Sequence, residues 1–238
     1  MTLRAVRSKG EAFDGRFFEK SPLHWPIAAA AAVFADAGDW PAPEEYDRAF
    51  RGRAGPVRFA RSEPVKRRRR ERPPVDPESM YDANIVRGVV PTRARCWHDF
   101  LNALVWATFP AAKRALHARQ YAMIRAWATP GARTLPNART REQDAVALVD
   151  EGGILLLTAP ERTVAVPFGH ALFEGLVYRT PSMIARGVPL AVDALPTERE
   201  ALLELADRAL ARLLESTTLA PEMLPRHPLA DPVVDPAP

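Results

Sequence analysis

Residues 96–110, "CWHDFLNALVWATFP", constrain the fold more than any other stretch of the chain. Phe100, Leu101, Leu104, Val105 and Trp106 fall on all sides of a helix, so a helix here has no face to give to water. It must lie inside, with other elements packed around it, and a chain of 238 residues is long enough to surround it. The same run holds His98, Asp99 and Asn102, and burying such groups costs free energy unless each finds a partner. It therefore marks either a satisfied polar network in a core or a site. Pro110 ends the helix and suits the first turn of a following one.

Around this helix the chain reads as α+β: a single, mostly helical domain over residues 21–220 with a small, mainly antiparallel sheet. Residues 1–20 read as a loosely attached segment. Pro26 and Gly38 bracket one helix, and Pro43, followed by Glu44 and Glu45 at its positive end, opens a second. Val57 and Phe59 alternate with Arg58 as in a short strand. A helix beginning near Tyr81 stops at Gly88. After Pro110, Ala112, Leu116, Met123 and Trp127 form an apolar stripe, which leaves Lys113, Arg114, Arg119 and Arg125 as a basic outer face. "DAVALVDEGGILLLT", residues 144–158, reads as a β-hairpin turning at Asp150-Glu151-Gly152-Gly153. Further strands are expected in "TVAVPF" and "VPLAVDA", on either side of a short helix "GHALFEGLVY". Thr197 and Glu200 suggest a capping box for the last helix, and the Pro-rich stretch 221–238 reads as a tail.

The net charge of +4 can be located. Lys66 to Arg70, "KRRRR", and Arg72 account for it, inside a Pro-rich loop at about residues 64–77. A nucleic-acid reader should carry a basic face with base-reading groups. One run between prolines favours a solvated loop over a nucleic-acid partner. A single cysteine, Cys96, excludes an intramolecular disulfide and a multi-cysteine zinc site. Cys96 and His98, two apart on a helix, point in different directions and make a poor nucleophile pair. No apolar run approaches the roughly 20 residues of a membrane span. "PIAAAAAVFADAG", the nearest approach to a signal core, follows Glu11, Asp14 and Glu19, so a cytoplasmic location is expected. The familiar glycine-rich phosphate loops, HExxH and GxSxG do not occur.

What remains is a constellation. His98 and Asn102 share a helix face, and His170 and Glu174 repeat the spacing. If those faces pack together, His98, His170 and Glu174 could hold a divalent Zn, Mn or Fe ion, with Asp144, Asp150 or Glu151 nearby. His98, Asp99, His170 and Glu174 could also exchange protons without metal. A purely structural network uses the same residues.

Three blocks resemble a known family: "VPTRARCWHDFLNALVWATFPAAKRAL", "DAVALVDEGGILLL" and "FGHALFE". They are similar to an uncharacterised bacterial domain-of-unknown-function family, numbered three-zero-two-five, over about residues 57–195. The resemblance implies a bacterial protein and names no activity. It points to Arg93, His98, Asp99, Asn102, Lys113, Asp144, Asp150, Glu151, His170 and Glu174 as positions matching the pattern. Cys96 departs from an Asn, and Gln143 from an Arg, of that pattern. Three classes of function stay open: a hydrolase-type enzyme with a His/carboxylate site, with or without a divalent metal; a non-catalytic binding or regulatory protein whose cluster orders the core; and a nucleic-acid-associated protein using the basic loop.

Overall fold

A computed structural model of the chain describes residues 12–62, 75–128 and 139–229. The first of these segments is fixed by aromatic packing. Phe13 and Phe17 contact Trp97 at ring-centroid distances of 5.5 and 5.1 Å, so the segment expected to be loose is anchored from Phe13 onward. A short α1 (Ala28–Ala31) runs into a turn of 3-10 helix, and α2 (Pro43–Ala49) opens at Pro43 as expected. There the Glu45 carboxylate accepts the Ala42 N–H at 2.6 Å, using one of the donors a helix start leaves unpaired. β1 (Arg58–Arg61) follows, with Phe59 buried and Arg58 and Arg61 exposed. Most of the basic loop, "KRRRR" included, lies outside the described residues.

α3 (Tyr81–Val86) ends at Gly88, whose φ of 82° lies in the left-handed region that glycine occupies without a Cβ penalty. This turn delivers β2 (Val89–Thr92), which pairs in parallel with β1, Phe59 opposite Val90. α4 (Trp97–Thr108) is buried on all sides but its first turn, from Phe100 to Ala107 without a break. α5 (Pro110–Trp127) starts directly after Phe109, with Pro110 in its first turn. Its expected basic face is corrected. Lys113 is fully buried, and Arg119 is bound to Glu142 and to the Leu214 carbonyl. Arg125 stays exposed but lies 3.8 Å from Glu78, and among the described residues Arg114 keeps the exposed position read for it without such a partner.

The hairpin expected at 144–158 sits one segment later. Residues up to Gly152 form α6 (Arg141–Gly152), and the hairpin joins β3 (Gly153–Thr158) to β4 (Thr163–Pro167), Leu155 opposite Val166. α7 (His170–Val177) then crosses to β5 (Ile184–Ala191), which lies parallel to β3. α8 (Arg199–Ser216) starts after Glu198 without a side-chain cap, so the Thr197–Glu200 box does not form. β6 (Arg226–Pro228) returns antiparallel to β5, which brings part of the expected tail into the sheet and buries Leu224 and Leu229. The strand order is β4-β3-β5-β6. One sheet face packs Leu155, Val166 and Val188 against the helical core. α8 fastens to α5 through Asp207, whose carboxylate accepts the Ala112 and Ala111 N–H groups at 2.7 and 3.1 Å. Among the described residues no helix is long and apolar enough to cross a membrane.

Candidate functional site

α4, α6 and α7 bring their polar residues to one place. His98 Nε2 lies 3.0 Å from His170 Nε2, and the two rings meet edge to face. The far nitrogen of His98, Nδ1, is 2.9 Å from Glu174 Oε2. The far nitrogen of His170 is 3.7 Å from Asp150 Oδ1, and Asp150 in turn receives the Nζ of Lys113. A polar chain thus runs Glu174–His98–His170–Asp150–Lys113, from a side chain 23 % exposed to one with no exposure.

The neighbouring residue, Glu151, completes a different set. One ligand atom each from His98, Glu151 and His170 falls within 4.8 Å of the others. Consecutive residues on a helix point about 100° apart. At the end of α6 that divergence sends Asp150 toward the Lys113 side and Glu151 toward His98 and His170. The approach depends on Gly169, at the start of α7: a Cβ there would stand 2.5 Å from the Glu151 carbonyl oxygen. Glycine is what lets α7 begin against the end of α6.

The environments of the two histidines differ. Burial disfavours protonation of His98, but Glu174, Glu151 and Asp99 outweigh it and raise its pKa. Burial dominates at His170, with Lys113 and His98 adding to it against Asp150, and pushes its pKa down to about 3. Burial also works on Asp150, yet Lys113, His170 and His117 together hold its carboxyl well below the usual carboxylate range. Glu151 is raised, first by burial and then by Asp150 and Glu174 acting against His98.

Not every candidate joins the cluster. Asp99 is occupied by Arg93, whose side chain and backbone N–H both donate to it, at distances down to 2.6 Å. Asn102 donates to Tyr81 Oη at 3.2 Å rather than facing His170. Asp144 stands apart on the wall of a cavity of about 1000 Å³ that His98, His170, Asp150 and Glu151 also line. Two further lining residues, Asp82 and His117, escaped the sequence reading. His117 sits beside Leu116 on what reads as an ordinary helix, and Asp82 lies in a short helix far from it in sequence.

No curated protein and no solved structure matches the chain. The sequence blocks from β2 to β4 carry His98, Lys113, Asp150 and Glu151, whereas His170 and Glu174 follow on α7, outside the span that a family model covers. That span is shorter than the 57–195 of the resemblance: residues 70–166 match the model of DUF3025, a protein family of unknown function.

Proposed function

We propose that the protein is a hydrolase-type enzyme that binds a divalent metal ion through His98 Nε2, His170 Nε2 and the Glu151 carboxylate. The convergence of these three donors within 4.8 Å on a cavity wall carries the reading. Two imidazoles and one carboxylate are a usual ligand set for Zn, Mn or Fe(II) with coordination positions left for solvent and substrate. Glu174, expected among the ligands, instead backs His98 from behind. A carboxylate on the far ring nitrogen fixes the tautomer that points the Nε2 lone pair at a metal. The charge balance agrees. Asp82, Asp99, Asp144, Asp150 and Glu151 line the cavity against Arg93 and Arg139, and Lys113 is paired to Asp150. Among the described residues the carboxylates on these walls outnumber the cations, a setting that favours a bound cation.

When bound, such an ion polarises a carbonyl or phosphoryl oxygen and acidifies water. The chain's own residues hold and orient it, and the cavity admits the substrate. Elemental analysis of the purified protein, repeated on His98→Ala, His170→Ala and Glu151→Gln, tests the proposal. About one equivalent of metal in the parent, lost in each folded variant, is the expected result. A metal-free parent that takes up no Zn²⁺, Mn²⁺ or Fe²⁺ overturns it. That outcome would favour the non-catalytic reading, for which the observation is the 3.0 Å separation of the two Nε2 atoms, an ordinary N–H···N distance.

A further inference from the structure

The cavity contains a second imidazole–carboxylate pair, separate from the one just assigned. His117 Nδ1 lies 2.8 Å from Asp82 Oδ1, so the ring donates there and its lone pair is left on Nε2. Trp106 stacks on the ring at 7° and 5.7 Å, and Tyr81 meets it edge-on at 5.7 Å. Its plane is fixed on both counts. Yet among the described residues Nε2 is buried without a hydrogen-bond partner, as are Asn102 Oδ1, whose amide nitrogen donates to Tyr81, and His170 Nδ1. Leaving a buried polar atom unmet is unfavourable, so three beside one cavity call for a reason, and His117 Nε2 is the one whose ring a carboxylate already orients.

Apart from Asp144, the acids and imidazoles that share these walls with the pair are already engaged. His98, His170 and Glu151 form the ligand set, Asp99 is bound to Arg93, and Asp150 to Lys113. Hydrolysis needs a group that takes a proton from the attacking water and returns one to the leaving atom. An imidazole oriented by a carboxylate and carrying its lone pair on the free side is built for that exchange.

We propose that His117, held by Asp82, is the acid–base group of this cavity. It takes one proton at Nε2 as the attacking water oxygen forms its bond. The imidazolium is then stabilised by Asp82, and the same proton passes to the leaving atom as the old bond breaks. No electrons change hands and the enzyme returns to its starting state. Reaction at the buried Nε2 requires a neighbouring ring to shift, and Tyr81, a residue 41 % exposed, is the contacting ring with solvent beside it. The role rests on the hydrolytic reading above, but not on which ion fills the metal site.

Diethylpyrocarbonate, which acylates unprotonated imidazole nitrogens, tests this on the full chain, with modified peptides quantified by mass spectrometry with and without Zn²⁺. His24, buried in the aromatic core away from the cavity, is the internal reference. His117 should react at least about tenfold faster than His24, and Asp82→Asn should slow it severalfold while His24 is unaffected, because an activated ring is the more nucleophilic one. A His117 as inert as His24, or one indifferent to Asp82→Asn in a folded variant, overturns the proposal. Protection of His98 and His170 by Zn²⁺ reports separately on the metal site, so the two readings fail independently. With any ester or phosphoester that the metal-loaded protein hydrolyses, His117→Gln should lower kcat by about 10²- to 10⁴-fold without changing metal content. An unchanged kcat also overturns it.

Discussion

Lys113 Nζ has left water altogether and sits 5.8 Å from the centre of the Trp106 ring with Asp150 as its anionic partner. Removing one member of such a pair leaves the other charge buried and uncompensated. Lys113→Ala should therefore destabilise the fold by about 3–5 kcal/mol in chemical denaturation. Lys113→Met combined with Asp150→Leu should recover much of that loss, and a double variant no better than the single would show that the charges are not what matters. His24 poses the converse problem: a neutral ring between Phe17 and Phe173, 1 % exposed, with neither nitrogen in a full hydrogen bond. Burial pushes its pKa down to about 4, against weaker help from backbone groups of Phe173, Ser21 and Phe18. Between pH 6.5 and 4 the unfolded chain binds the proton that the folded one refuses. Stability from this residue is complete above pH 6.5 and falls as the pH drops, by up to about 3 kcal/mol. Denaturation midpoints measured across that range should slope less in His24→Leu, and an unchanged slope would assign the acid sensitivity elsewhere.

Elements carry the next set of consequences. Leu104, fully buried in α4, should cost about 2–5 kcal/mol as Leu104→Ala, read from the urea midpoint. Gly169→Ala adds a methyl where the Glu151 backbone leaves no room, so α7 must retreat from α6. The expected outcome is a folded protein whose metal affinity drops, measured by titration calorimetry with Zn²⁺; unchanged affinity would mean that the junction is plastic. The all-round apolarity of α4 and the Pro110 boundary made the central helices legible in the sequence. So were the faces of α4 and α7 that pair His98 with His170 and Glu174. α6 was not legible as a helix, because Ala145, Val146, Leu148 and Val149 suit a strand as well as a helix and Gly152-Gly153 imitates a turn. The deciding signal was local: Thr140 accepts the Gln143 N–H while the Gln143 side chain accepts the Thr140 N–H, a reciprocal cap written as Thr-x-x-Gln. Misreading α6 put Asp150 and Glu151 at a hairpin tip, where neither could be told from a solvated turn residue. Lys113 was read as surface because helical spacing shows which residues share a face, not which face meets an acidic partner from a distant helix.

At the scale of the whole molecule, the donors of the cluster come from three helices that the chain lays down far apart, so no partial fold contains the site. A ligand that binds only the assembled form stabilises it by mass action, by about 2.7 kcal/mol at a hundredfold excess over Kd. For a domain of this size that is a rise in Tm of roughly 5–10 °C. Zn²⁺ should produce it and a chelator reverse it, followed by thermal denaturation; a Tm indifferent to both would leave the three helices without an ionic tie. The direct passage from α4 to α5 through Phe109 and Pro110, with no intervening loop, has a bearing on inheritance. Inserting or deleting one residue between His98 and Phe109 turns everything on one side of the change by about 100° relative to the other. His98 would swing away from His170 while Lys113 kept its place beneath Asp150. Lineages of this protein should therefore tolerate length changes in the connectors and none within this stretch, so that the spacing of fifteen positions from His98 to Lys113 is handed down unchanged wherever the site is kept.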